Sequence, residues 1–186
     1  MDIHNIGRRI CDEIAGAIAA VDDAAAGELI QSLLVTRRVF LTGVGRSGWI
    51  ARCLATRLMH LDRTVHLVGD ASTPKIGDGD LLMACTGSGE TPTILAHVAA
   101  ARRAGADLAV ITACPDSTAA GQARVVIHLP APTPKAHDSN GPESIQPMGS
   151  LFEQSLLIFG DALIMLLAQR LEQDHPQMWQ RHTNLE

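Results

Sequence analysis

Two segments of this chain combine glycine with hydroxyl side chains where a strand would hand over to a helix. The first lies in VFLTGVGRSGWI, Val39–Ile50, and the second is TGSGET, Thr86–Thr91. Glycine lets a backbone approach a ligand closely. The start of a helix adds unpaired N–H groups and the positive end of a dipole. In TGSGET the hydroxyls of Thr86, Ser88 and Thr91 complete a phosphate cup without a lysine, and Pro92 suits a first helical position. Glu90 would repel phosphate if it faced inward, so it is expected to turn away, toward a sugar hydroxyl or a neighbouring subunit. Ser88 and Thr91 also fit plain helix capping.

The first loop contains G-x-G-x-x-G, the spacing of a dinucleotide-binding turn. Asp70 stands about 22 residues after Gly48, where a ribose-binding acid would be expected. The same glycines serve equally well in a tight strand-to-helix turn. Two such loops at the carboxyl ends of two strands favour a phosphosugar. Gly45, Arg46 and Ser47 then face the sugar, and the second loop holds its phosphate.

The surrounding elements must place both loops on one edge. Ile3, Ile6, Ile10, Ile14, Ile18 and Val21 recur at steps of three and four, the stripe of an amphipathic helix. Asp22 or Asp23 caps a second helix running to about Leu34. Short apolar runs follow at Val39–Thr42, Thr64–Val68, Asp80–Cys85, Leu108–Thr112 and Val125–Leu129. Helical segments about Ser47–Leu61 and from Thr91 to about Ala104 separate some of them. This alternation predicts an α/β fold, a five-stranded parallel sheet with helices on both faces. The short connection Gly69–Gly79 reads as loop. Residues 1–35 form N-terminal helices, 36–130 the sheet core and 131–148 a loop. Residues 149–186 form a long C-terminal helix and a tail. The helix at Gly149–Gln173 is apolar nearly all round, which suggests a subunit interface, and its interrupted apolar run reads as short for a membrane span. The polar tail reads as frayed or as folded onto a neighbour.

The bulk properties agree. The chain has 186 residues, 46% of them apolar, and a net charge of −5. That suits one globular domain and argues against broad nucleic-acid affinity. Cys11, Cys53, Cys85 and Cys114 show no C-x-x-C pair and read as buried, reduced thiols. The start MDIHNIGRRI is unlike a signal peptide, so a cytoplasmic location is expected. The histidines form neither H-E-x-x-H nor a Cys/His cluster, so no metal is expected. No G-x-S-x-G elbow points to a serine hydrolase.

GVGRSG, a strand and then TGSGET resemble the sugar isomerase (SIS) domain, a five-stranded parallel α/β fold that binds phosphosugars. RLMHL (Arg57–Leu61), SIQPMGSLFEQ (Ser144–Gln154) and the ending RHTNLE (Arg181–Glu186) resemble, more narrowly, the 6-phospho-3-hexuloisomerase family. The resemblance covers nearly the whole chain. It implies conversion of D-arabino-3-hexulose 6-phosphate to fructose 6-phosphate in the ribulose monophosphate route of formaldehyde fixation. It further implies no cofactor, a homotetramer, and hexulose-6-phosphate synthase as functional partner. Two positions depart from the family: Thr86 replaces a common Ser and keeps the hydroxyl, and Arg124 stands near a common Asp, on an expected surface turn.

Moving a ketone from carbon 3 to carbon 2 needs a base for the carbon 2 proton and a group that shuttles protons between the two oxygens. It also needs a donor for the developing oxyanion. Glu153 is the first candidate base; Ser150-Leu151-Phe152-Glu153 equally spells a capping box. His60 and His182 are candidates for the shuttle. A tail folded over a neighbouring subunit's site would add His182 to it, with Asn184 or Glu186 orienting the ring. Arg46 is a candidate for steadying the substrate. A non-catalytic phosphosugar sensor and, less favoured, a NAD-binding Rossmann protein are the alternatives.

Overall fold

The structure, a computed structural model, describes residues 2–133 and 143–185. Two helices, α1 (Ile3–Ala19) and α2 (Asp23–Val35), precede the sheet. Strands β1 (Arg38–Gly43), β2 (Val65–Leu67), β3 (Asp80–Cys85), β4 (Asp107–Thr112) and β5 (Val125–His128) follow, with α3 (Arg46–His60) after β1 and α4 (Pro92–Arg103) after β3. The chain closes with α5 (Ser150–Arg170) and α6 (His175–Trp179). All strand pairs are parallel, in the order β2-β1-β3-β4-β5. This is the flavodoxin-type doubly wound order, with the strand order reversing between β1 and β3.

The strands sort their side chains by alternation. Val39, Leu41, Leu81, Met83, Ala109 and Ile111 point to the face covered by α2, α3 and α5. Phe40, Leu82, Ala84, Leu108 and Val110 point to the face covered by α4. Both faces are therefore buried, which is why the strands read as continuous apolar runs. The β2–β3 connection contains no helix, as its composition suggested.

The opposite, amino-terminal edge is pinned by Asp80. Its buried carboxylate accepts from Arg38 Nε at 2.9 Å and Arg38 Nη2 at 2.6 Å, and from the Gly77 amide at 2.9 Å. Arg124 also lies at that edge, donating to Ser32 Oγ at 2.6 Å and pairing with Asp107 at 3.5 Å. Its departure from the family pattern is thus remote from the carboxyl-end loops.

Helix α5 spans 21 residues and contains an 18-residue window of mean hydropathy 1.7, enough by length and composition to cross a membrane. The apolar run had suggested otherwise. One face of the helix, including Phe152, Leu156, Leu163 and Leu167, is buried in the core. The other leaves Leu157, Ile158, Met165 and Leu166 exposed. The expectation of four buried thiols also needs correction: Cys85 is fully buried, which pushes its thiol up to about 12, but Cys11 and Cys53 are exposed. Residues 134–142, half of the proline-rich 131–148 loop, lie outside the described residues.

Candidate active site

The register pairs Gly43 with Cys85, so the loops leaving β1 and β3 emerge side by side. Each glycine in the first loop has a distinct task. Gly45 turns the chain at φ 64°, in the left-handed region, and α3 starts there without a side-chain cap. Gly48 lets helix approach strand: a Cβ there would stand 2.6 Å from Gly43 O.

The second loop is held from within. Thr86 Oγ1 accepts from the Gly89 amide at 3.2 Å, and Thr112 Oγ1 donates to Gly87 O at 3.1 Å. Gly89 takes φ 65°, and its carbonyl accepts from the Ala119 amide at 3.1 Å. Glu90 turns away from the cup, toward the 117–120 turn of its own chain. Its Oε1 accepts from the Thr118 amide at 2.6 Å in the same chain. Thr91 is the N-cap residue of α4, yet its side chain makes no capping bond, and Pro92 follows. Ser88 Oγ accepts only a long bond from the Glu90 amide, 3.3 Å.

Between these loops and the start of α5 lies a cleft of about 280 Å³, bordered by Gly45, Arg46, Ser47, Thr86, Thr91 and Glu153. Phe152 forms its floor, with ring carbon Cδ1 3.3 Å from where a Gly87 Cβ would be. Glu153 does not close a capping box: Gly149 is the N-cap, and no side chain caps α5. Instead Arg46 Nε stands 2.6 Å from Glu153 Oε2. The glutamate side chain is 15% exposed and the arginine 65%, so the carboxylate lines the wall and the guanidinium rims the mouth.

His60 and His182 meet each other, but not this cleft. Arg46 and His60 occupy the two ends of α3, about 21 Å apart at 1.5 Å per residue. The tail folds back along its own chain and does not fray. Asp174 and Gln177 form a capping box, and Arg181 donates to His60 O at 3.2 Å and to Gln173 Oε1 at 3.2 Å. The His182 ring stacks on His60 at 5.5 Å and on Trp179 at 4.8 Å. Burial, the Arg57 charge and His182 together push the His60 pKa below its ordinary value. The two rings border a second cavity of about 650 Å³ that reaches Leu157 and Asp161 on α5. Glu186 lies outside the described residues, and Asn184 is exposed.

A model of the SIS domain matches residues 32–168. The 3-hexulose-6-phosphate isomerase of Mycobacterium gastri is 40% identical over all of this chain and 92% of its own length. That of Bacillus subtilis strain 168 is 37% identical, covering 95% of both chains. The chain belongs to the 3-hexulose-6-phosphate isomerase family of SIS domains. A Methanococcus jannaschii crystal structure described as inferring that same molecular function superposes with a TM-score of 0.83 and 30% identity, over 96% of this chain and 98% of the other.

The SIS fold explains the loop pair without a dinucleotide. Asp70, the would-be ribose ligand, pairs with Arg52 at 3.0 Å. Among the described residues no three His, Cys, Asp or Glu side chains gather as a metal site requires. The cleft also uses Phe152, Met148 and Thr133, which residue chemistry alone does not single out. Phe152 and Met148 do lie within SIQPMGSLFEQ, the one signal that could have found them.

Proposed function

We propose that this protein isomerises D-arabino-3-hexulose 6-phosphate to fructose 6-phosphate in the ribulose monophosphate route. The observation that carries the reading is the Glu153–Arg46 contact of 2.6 Å across a cleft from the TGSGET loop. The phosphate sits against the Thr86, Ser88 and Thr91 hydroxyls and the open start of α4, where the dipole favours an anion. Glu153 takes the carbon 2 proton and returns it to carbon 3 of the enediol. Arg46, already at the carboxylate, steadies the enediolate oxygen. Gly45 and Ser47 contact the sugar. Glu90, held by Thr118, supports the loop and does not touch the ligand.

His60 and His182 complete the site from a second copy of the chain. Within one chain they lie at the far end of α3, while the exposed apolar face of α5 runs from their cavity at Leu157 onward to Ile158, Met165 and Leu166. Pairing of two copies along this face, antiparallel, sets the imidazoles of one beside Glu153 of the other. A homotetramer in the cytoplasm, fed by hexulose-6-phosphate synthase, is the assembly we infer.

Mixing decides both points. Glu153→Gln and His60→Asn are each expected to lose most turnover in a coupled fructose 6-phosphate assay. Co-refolded in equal amounts, they should regain up to about a quarter of wild-type activity, because about half the dimers are mixed and one of the two composite sites in each escapes both substitutions. Full activity of Glu153→Gln sinks the base; inactive mixtures of two folded variants sink the shared site. A folded wild-type chain that binds fructose 6-phosphate without turnover favours a phosphosugar sensor.

A further inference from the structure

The segment that delivers Glu153 is anchored from an unexpected quarter. Glu13, on α1, accepts hydrogen bonds from Ser144 Oγ at 2.7 Å, the Ile145 amide at 2.8 Å and Gln146 Nε2 at 3.0 Å. Ser144 Oγ in turn accepts from the Gln146 amide at 3.0 Å. Gln146 is buried, and its Oε1 accepts from Gln154 Nε2 at 2.8 Å. A continuous polar chain therefore runs from α1 through Gln146 to the residue beside Glu153. Burial alone would raise the Glu13 pKa, but the Ile145 amide, Ser144, Gln146 and Arg9 outweigh it and lower it. Bonds to a carboxylate are about twice as strong as neutral ones.

Between the anchor and the base lie Pro147, Met148 and Gly149. Met148 takes φ 59°, a left-handed conformation that a side chain disfavours by about 1–2 kcal/mol. Such strain persists only where the surroundings over-determine it. Here α5 holds one end and the Glu13 cluster the other, and both Met148 and Gly149 border the cleft.

We propose that Glu13 is a positioning residue for the isomerisation: it fixes the 144–149 segment and so sets Glu153 against the substrate held by the phosphate loop. It touches no substrate. The proposal rests on Glu153 being the base.

The test is a polarity swap. Glu13→Gln keeps only one acceptor oxygen, so its amide must give up either the Ile145 N–H or the Ser144 and Gln146 donors, and Gln146→Glu leaves two carboxylates facing each other, so each weakens the anchor. The double variant restores a donor–acceptor pair, and the carboxylate it carries at position 146 can still accept from Gln154. Each single variant should lower kcat about tenfold, in line with the hundredfold that a 1 Å misplacement can cost. KM should stay within about twofold, because the phosphate loop is untouched. Amide exchange over 145–153 should quicken in the single variants while the sheet stays protected. The double variant should recover kcat to within about threefold of wild type and restore the protection. Unchanged kcat in Glu13→Gln beside an inactive Glu153→Gln overturns the positioning role alone. So does a double variant no better than the singles, or exchange that spreads through the sheet, which marks a general fold defect. A wild-type chain without turnover, or an active Glu153→Gln, overturns it through the base on which it rests.

Discussion

Gly89→Ala is the substitution whose cost the phosphate loop specifies most closely. Gly89 adopts φ 65°, and a Cβ built there would lie 2.3 Å from Ser117 Cβ and closer still to its Oγ, with Thr112 Oγ1 next at 3.6 Å. Two separable penalties follow. The left-handed backbone costs an alanine about 1–2 kcal/mol. Forcing the extra methyl into occupied space costs about 1–3 kcal/mol more. The single variant should therefore lose about 2–5 kcal/mol, read from urea unfolding with an unchanged m-value. Ser117→Gly removes both overlapping atoms and leaves only the ordinary contact with Thr112. Alone it should destabilise by about 0.5–1 kcal/mol, the entropic cost of a new glycine. In the Gly89→Ala background it should stabilise, because relief of overlap exceeds that cost, with a coupling energy of at least about 1 kcal/mol. Additivity of the two changes within about 0.5 kcal/mol would refute the steric reasoning. In the assay, the single variant should raise KM more than it lowers kcat if, as proposed, the loop holds the phosphate and not the reacting carbons.

Three further outcomes test the rest of the molecule. Asp80→Asn strips the buried partner from Arg38 and should cost about 3 kcal/mol in urea unfolding, whereas Arg37→Ala, an exposed contributor, should cost under about 1. Arg38, by its hydrogen bonds, holds the Asp80 carboxyl below the usual range. Its contribution should be complete above about pH 4 and fade as pH falls through the lowered value, a slope absent in Asp80→Asn. His60 is likewise held below its ordinary value, by burial first, so the unfolded chain binds its proton more readily; stability should fall below about pH 6.5, and His60→Asn should flatten that decline. Ser155 is fully buried and its hydroxyl has no hydrogen-bond partner, so Ser155→Ala should raise stability by about 1 kcal/mol, measured as a higher urea midpoint.

The strands, the long helices and the glycine-rich loops were legible in the chain because their signals are local. Asp80–Cys85 is strand β3 as read, since a six-residue, mostly apolar run flanked by glycine-rich turns has the length of a doubly covered strand and is too short for a buried helix. TGSGET needed only its own glycines and Pro92 to mark a strand-to-helix turn, and that turn does border the cleft. Glu153 was undecidable locally: S-x-x-E spells a cap as well as a base, and only packing of α5 against α3 set Arg46 beside it. The tail was undecidable for the same reason. Its capping box is local, but the stack of Trp179, His182 and His60 depends on where α3 ends in space. Nothing in α1 announced Glu13, one acid on the polar side of an amphipathic helix, because its partners lie more than a hundred residues away. The sequence by itself determined the strands, helices α1 to α5 and the hydroxyl-rich loop, each written in consecutive residues. The tertiary structure alone decided which carboxylate meets which cation, and that the imidazoles stand at the far end of α3, because those distances depend on how helices dock and no local pattern encodes docking.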